Sequence, residues 1–483
     1  MLLRYRLQTL KKSCTAILLL FVLSCARKET VVARFSHGEI TLEEFKTAYT
    51  EIIKQPNVFD SKELREQFLT ELIDRRLLAE DAKKTGLDKD ERFALRIQAR
   101  QDQHLRQAHY AKVIRPRISY READVQAAYV FMNEERRVRH LFCETRREAD
   151  SLYQLLQNGA SWDELAHSVF KDPRLSENSG DLGWVNWEQM EYDLATAAFT
   201  LGLHKYSPPI ASSFGWHILK VVDYRKQPLL SQSSFDLQRQ KARRILEDKL
   251  GDKLALNYIS HLMSAKKIKV YPQPLRAVGQ QLSRLLQRPP SPADQMREEQ
   301  LSDVEMQQLE ASLWDIHEKP LAEISGEIVT VGEFIAGLNY VPYQAVHKSL
   351  KTALDYVLRD RALTMEARAM GLENDKEVRL KTELYTQNRL QLAMRWQLVA
   401  NLSVEDVDMQ RYFDVHYASK YPDMKFADAK ELIKSQVLNE KRSRAVTEHV
   451  QQLRHSAAVN KYVEPIHAWY DARRAGTDHP ASQ

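Results

Sequence analysis

The chain has 483 residues, of which 28% are charged, 43% hydrophobic and only 14 are glycine. That length exceeds what one hydrophobic core organises, so about two to four domains are expected, and scarce glycine favours long amphipathic helices over a β-rich fold. A formal net charge of +5 gives no case for nucleic acid as a ligand. The three cysteines, Cys14, Cys25 and Cys143, have no paired spacing, so neither a disulfide framework nor a metal site is supported, and no cofactor motif appears.

The chain opens on a positive leader, Arg4, Arg6, Lys11 and Lys12, followed by the apolar run Ala16-Ile-Leu-Leu-Leu-Phe-Val-Leu23. That run is too short to cross a bilayer as a mature helix but suits the core of a signal peptide. It ends Val22-Leu23-Ser24-Cys25, which resembles a bacterial lipobox. The resemblance implies that residues 1–24 are a lipoprotein signal peptide and that Cys25 is diacylated. The protein would then be exported and lipid-anchored on the periplasmic side of the cell envelope. Ala26 resembles the sorting signal for the outer membrane. The alternative is an ordinary signal peptide whose cleavage site falls near a cysteine.

Val31 to Phe35 alternates like a short strand, and Thr41-Leu-Glu-Glu44 has the form of a capping box that opens a helix. A second helix is expected from Asp60, with Phe68, Leu69, Leu72, Ile73, Leu77 and Leu78 on one face and Gly86 at its end. Helix continues to about Val113 and restarts at Ser119. This opening recurs downstream. Thr41-Leu-Glu-Glu-Phe45 matches Thr330-Val-Gly-Glu-Phe334, Arg76-Leu-Leu78 matches Arg361-Ala-Leu363, and Ser119, Asp124 and Gln126 match Ser403, Asp408 and Gln410. Ile245 to Lys249 likewise matches Val437 to Lys441. The shared order of these pairs points to a duplicated helical unit.

The first copy carries a long insertion that the second lacks. Within it, Arg136 to Cys143 alternates like a strand, Arg147 to Leu156 reads as a helix, and Ser161-Trp-Asp-Glu164 caps another. Gly180-Asp-Leu-Gly-Trp184 is rich in turn residues, Met190 to Leu201 is helical, and Trp216 to Val222 is a closing strand. The pattern predicts a small α+β domain with one histidine on each of two strands. Domain insertion needs the ends of the insert to lie close together. The resulting division is 25–133 as an N-terminal helical segment, 134–226 as the inserted domain and 227–272 as the returning helical segment. After these come a linker at 273–320 around Gln287-Arg-Pro-Pro-Ser-Pro292, a second half at 321–466 and a disordered tail at 467–483.

Val138-Arg-His140, Gly180-Asp-Leu-Gly-Trp184, Met190, Ala198-Phe199 and Phe214-Gly-Trp-His217 stand in an order that resembles parvulin-type peptidyl-prolyl isomerases. The flanking helices resemble those of the SurA, PrsA and PpiD group of envelope chaperones. The resemblance implies a mainly α chaperone scaffold of two related halves with an inserted α+β parvulin domain. It further implies that His140, Asp172, His217 and Ser212 form the catalytic network, and that Leu182, Met190, Leu194 and Phe199 cup the proline ring. Two departures stand out: Ser179 replaces the first glycine of the family's usual Gly-Gly, and Leu194 falls where the family places phenylalanine. Unfolded polypeptides with X-Pro bonds are the implied substrates, and the membrane is the implied partner through Cys25. A non-catalytic holdase with an inactive parvulin arm is the competing reading, and a structural lipoprotein docked on an assembly machine is a third.

Overall fold

The structure, a computed structural model, describes residues 29–213, 215–226, 231–286, 300–418, 420–421 and 425–475. The leader with Cys25, Phe214 of the Phe-Gly-Trp-His motif, and the proline-rich run at 287–292 lie outside these residues.

In chain order the first copy opens with the hairpin β1 (Val31–Phe35) and β2 (Gly38–Thr41), then α1 (Leu42–Ile53) and α2 (Lys62–Lys84). Thr41 starts α1 by accepting from Glu44 N at 3.2 Å. Ser61, not Asp60, caps α2, because Asp60 is engaged by the buried Arg65 at 2.7 Å. Next come α3 (Glu91–His109) and α4 (Glu122–Met132). The insert is β3 (Glu134–Cys143), α5 (Arg146–Gln157), α6 (Trp162–Val169), α7 (Pro173–Glu177), β4 (Asp181–Asn186), α8 (Tyr192–Thr200), β5 (Ile210–Ala211) and β6 (Trp216–Lys226). The copy closes with α9 (Gln232–Ser264), β7 (Ile268–Val270) and α10 (Pro272–Leu285).

After α11 (Asp303–Leu313), the second copy repeats the list without the insert. It runs β8 (Pro320–Ile324), β9 (Glu327–Thr330), α12 (Val331–Leu338), α13 (Tyr343–Lys348), α14 (Leu350–Ala369), α15 (Lys376–Val399), α16 (Asp406–His416), α17 (Phe426–Ser456), β10 (Asn460–Lys461) and α18 (Glu464–Arg474). Details repeat too. Thr330 caps α12 as Thr41 caps α1, and the ion pair of Arg76 with Glu44 returns as Arg361 with Glu333 at 2.6 Å.

The copies are not themselves the spatial units. The chain divides into residues 1–87 with 387–483, and residues 88–386. In the first unit, β10 of copy two pairs antiparallel with β1 of copy one, and Tyr462 N donates to Val32 O at 2.9 Å. Trp469 of α18 meets Phe45 and Tyr49 edge-on at 6.2 and 6.1 Å, and Arg454 of α17 holds Asp74 of α2 at 2.6 Å. In the second unit the exchange is reciprocal. There β7 of copy one pairs with β8 of copy two, and Tyr271 N donates to Leu321 O at 2.9 Å. Each copy's closing strand thus completes the other copy's opening hairpin, a pairing that no local sequence signal specifies.

Two expectations are corrected. The segment 273–320 is not a linker throughout: α10 fills it up to Leu285 and α11 occupies Asp303–Leu313, and they bury Val278, Leu282, Leu309 and Leu313 in a core with Leu321, Phe334 and Leu358. Ser302 and Glu305 form a capping box at the start of α11, and Pro272 sits where a first helical turn needs no N–H. Residues 467–474 are not tail either, since α18 runs to Arg474 and buries Ile466 and Trp469.

The insert is a four-stranded antiparallel sheet of order β4-β3-β6-β5. Its ends meet: Glu134 and Lys226 are partners across β3 and β6, and their side chains pair at 2.9 Å. A two-residue period then sorts its faces. Leu141 and Ile218 face α5 and α6, in a core with Leu156, Trp162 and Ala166. On the other face Val138, Leu219 and Val221 share a core with Leu194, Ala198 and Phe199 of α8 and with Val125, Tyr129, Phe235 and Leu246 of α4 and α9.

Candidate active site

His140 and His217 stand on that second face, in phase with Val138 and Leu219. Their rings stack with centroids 5.4 Å apart and planes 18° from parallel, and Nδ1 meets Nδ1 at 3.2 Å. His217 Nε2 lies 2.9 Å from Ser212 Oγ, whose hydroxyl donates to Gly215 O at 3.3 Å. One order of hydrogens satisfies this chain: His140 Nδ1–H to His217 Nδ1, His217 Nε2–H to Ser212, Ser212 to Gly215. It leaves His140 Nε2, buried and without a partner among the described residues, as a bare acceptor and not a stranded N–H. Burial holds His140 down to about 4, and it also lowers His217, so both rings are neutral at pH 7. Phe170 and Phe142 flank the pair at 5.2 and 5.3 Å.

The turn-rich motif is explained by its proximity to His140. Gly180 has φ of +69°, its carbonyl accepts from His140 N at 2.9 Å, and a Cβ there would fall 2.1 Å from His140 O. Only glycine fits. Ser179, one residue earlier, is also left-handed at φ +57°, a conformation that costs a residue with a Cβ about 1–2 kcal/mol. Trp162 Nε1 holds its carbonyl at 3.0 Å.

The other expected site residues divide. Asp172 is not part of the histidine network: it caps α7, accepting from Arg174 N at 2.9 Å and pairing with that guanidinium, and no hydrogen bond joins it to either ring. The Arg174 contacts hold its carboxyl below the usual range. The Asp-Pro sequence at 172–173, an ordinary helix start, is the physical reason. Phe199 belongs to the core and not to an open cup; it is 2% exposed, lies 5.7 Å from Phe131 of α4, and its carbonyl accepts from Arg136. Leu194 is 8% exposed in the same core. Leu182 is open at 42%, and Met190 is half-buried just before α8.

Two residues with contacts at the site were not singled out from the sequence. Glu191, at the start of α8, accepts from Ser213 N at 3.1 Å and from the Ser213 hydroxyl, which ties α8 to the loop before His217. Lys249, on α9, hydrogen-bonds the carbonyl of Met190. Its match with Lys441 is visible in the sequence, but its direction is not. Cys143 is buried, and burial raises its thiol to about 11, so it is an apolar filler and not a nucleophile.

Comparison with known proteins bears on this geometry. Residues 141–223 match the rotamase family, the PPIC-type PPIase domain. The chain is 24% identical over 263 residues to the foldase protein PrsA of Oceanobacillus iheyensis, covering 51% of this chain and 86% of that protein. It is 28% identical over 231 residues to a probable parvulin-type peptidyl-prolyl cis-trans isomerase of Bordetella bronchiseptica, covering 46% and 86%. Among solved structures, a SurA-like chaperone of Campylobacter jejuni is 20% identical, with a TM-score of 0.24 and coverage of 50% of this chain and all of that one. These relatives thus account for about half of the chain. The chain carries a parvulin-type peptidyl-prolyl isomerase domain.

Proposed function

We propose that this protein is a peptidyl-prolyl cis/trans isomerase and foldase-type chaperone for unfolded polypeptides in the bacterial envelope, tethered to the periplasmic face of the outer membrane through a diacylated Cys25. The observation that carries the catalytic part is the neutral His140–His217–Ser212 chain, set in a domain with the PPIC-type signature. Rotation about an X-Pro bond meets a barrier of about 20 kcal/mol because the twisted amide loses its resonance. No bond breaks, so no activated nucleophile is needed; the site must only favour the twisted amide over the planar one. Leu182 and Met190, the accessible apolar residues of the expected set, would grip the proline ring. The histidine pair, neutral and fixed by its own hydrogen bonds, places oriented dipoles behind the peptide in place of mobile water.

The chaperone part is supported by the foldase and SurA-like names among the relatives. The anchoring part is supported by the lipobox-like run ending at Cys25; none of the described helices is long and apolar enough to cross a membrane. Isomerisation of an X-Pro peptide followed by NMR exchange spectroscopy tests the catalytic part. The whole chain is the material of choice, because α4 and α9 complete the domain's core. Acceleration that His217→Ala or Met190→Ala abolishes supports the assignment; a folded chain without acceleration refutes it. Palmitate incorporation in cells, lost on Cys25→Ser, tests the anchor.

A further inference from the structure

The scaffold reaches into the isomerase domain at one buried cation. Lys249, in the middle of α9, is 8% exposed. Its ammonium donates to the carbonyls of Glu188, at 3.3 Å, and Met190, and sits 5.1 Å from the ring centroid of Trp187. All three partners lie on the short connection between β4 and α8. That connection carries Met190 and leads directly into Glu191, whose carboxylate holds Ser213 beside Ser212. Contacts therefore run from the scaffold helix through the Met190 loop to Ser213, whose chain neighbour Ser212 bonds His217.

The second copy shows what this lysine does where no insert is present. Lys441, at the matching position of α17, turns back to its own hairpin and binds Ser403 O at 3.2 Å and the carboxylate of Asp408 in the first turn of α16. In the first copy the matching Asp124 is served by Arg121, whose N and guanidinium donate to it at 2.7 and 3.2 Å. The counterpart of Arg121 in copy two is Glu405, whose backbone also hydrogen-bonds Asp408 but whose side chain has no cation to offer. Arginine at 121 thus takes over the hairpin's acid and leaves Lys249 for the insert. Burial lowers the Lys249 ammonium, while Asp252, Glu188 and Glu191 favour its charge.

We infer that Lys249 is a positioning residue for the isomerase: from the scaffold it fixes the 187–191 loop, and with it the Met190 wall of the proline cup and the Glu191 clip behind His217. This rests on the function proposed above. A loop carbonyl released from its donor lets the cup wall drift, and misplacement of about 1 Å in a positioned site costs up to a hundredfold in rate.

The test uses the whole chain labelled with 13C-methyl methionine, and compares Lys249→Met, Lys249→Arg and Lys441→Met. Two readouts are taken: the Met190 methyl resonance, and kcat/KM for an X-Pro peptide. Lys249→Met should shift the Met190 methyl and lower kcat/KM at least tenfold, with KM rising as well as kcat falling. Lys249→Arg, which keeps a buried cation, should recover most of the rate, and Lys441→Met should leave both readouts unchanged. A folded Lys249→Met with an unmoved methyl and kcat/KM within twofold of the parent overturns the inference. If the parent chain shows no catalysis, the proposed function fails, and the methyl shift alone still decides whether Lys249 sets the loop. If Lys249→Met does not fold, Lys249→Gln is decisive: a displaced methyl with kcat/KM lowered at least tenfold supports the inference, and an unmoved methyl with kcat/KM within twofold of the parent overturns it.

Discussion

The α4–α9 and α16–α17 pairs are the same helical hairpin, once with a domain inserted and once without. Their inner positions agree: Val125 and Tyr129 are buried in one, Met409 and Phe413 in the other. They part where the insert begins. Phe131 packs on Trp187 and Phe199 at 6.0 and 5.7 Å, whereas Val415, at the same position of α16, is 65% exposed. Lys249 faces the insert, whereas Lys441 closes its own hairpin. The difference teaches that the insertion drew on the scaffold's outer surface for its core, and that the hairpin geometry tolerated it because β3 and β6 return the chain to its starting point.

Substitution at the paired positions would break this comparison with the largest effect. Phe131→Ala removes an aromatic from the joint core and should cost about 3 kcal/mol, whereas Val415→Ala should stay within about 0.5 kcal/mol. Denaturant unfolding of the two variants checks this, and equal losses would mean that the insert does not lean on α4. The second expectation concerns pH. The lowered folded-state value of His140 means that the unfolded chain binds its proton more readily. Stability from the neutral pair is therefore complete above about 6.5, and falls with pH through the window down to about 4, by about 3 kcal/mol. Copy two has no such pair among the described residues, so His140→Gln should flatten that part of the pH–stability curve. The smallest effect has the opposite sign. Ser179→Gly relieves a left-handed serine and should stabilise the chain by about 0.5–1 kcal/mol, read as a raised midpoint of thermal unfolding.

Much of this was legible in the residues. The capping signals at Thr41, Ser161 and Thr330 mark real helix starts, because a hydroxyl three residues before an acid is a local device that needs no tertiary context; the box closes in full at Thr330. The histidine pair was legible through its order around Gly180. What was not legible depends on distant parts of the chain. Neither β10 nor β7 carries a signal for the hairpin it completes, since strand pairing is a long-range choice. The run Gln287 to Pro292 is the linker signal for 273–320, yet helices flank it on both sides, α10 up to Leu285 and α11 from the Ser302–Glu305 box onward. Asp172 and Phe199 were assigned by position in a family pattern, and the local helix start and the neighbouring Phe131 decided otherwise.

On the function proposed above, the insert holds the isomerase while the duplicated scaffold holds polypeptide. The decisive variant excises residues 134–230 and joins α4 to α9 through a segment no longer than residues 417–425, which separate α16 from α17. The expected product is a folded chain that still suppresses aggregation of an unfolded protein, with X-Pro exchange reduced to the uncatalysed rate. Catalysis that survives the excision, or a folded product that has lost the suppression, would contradict it.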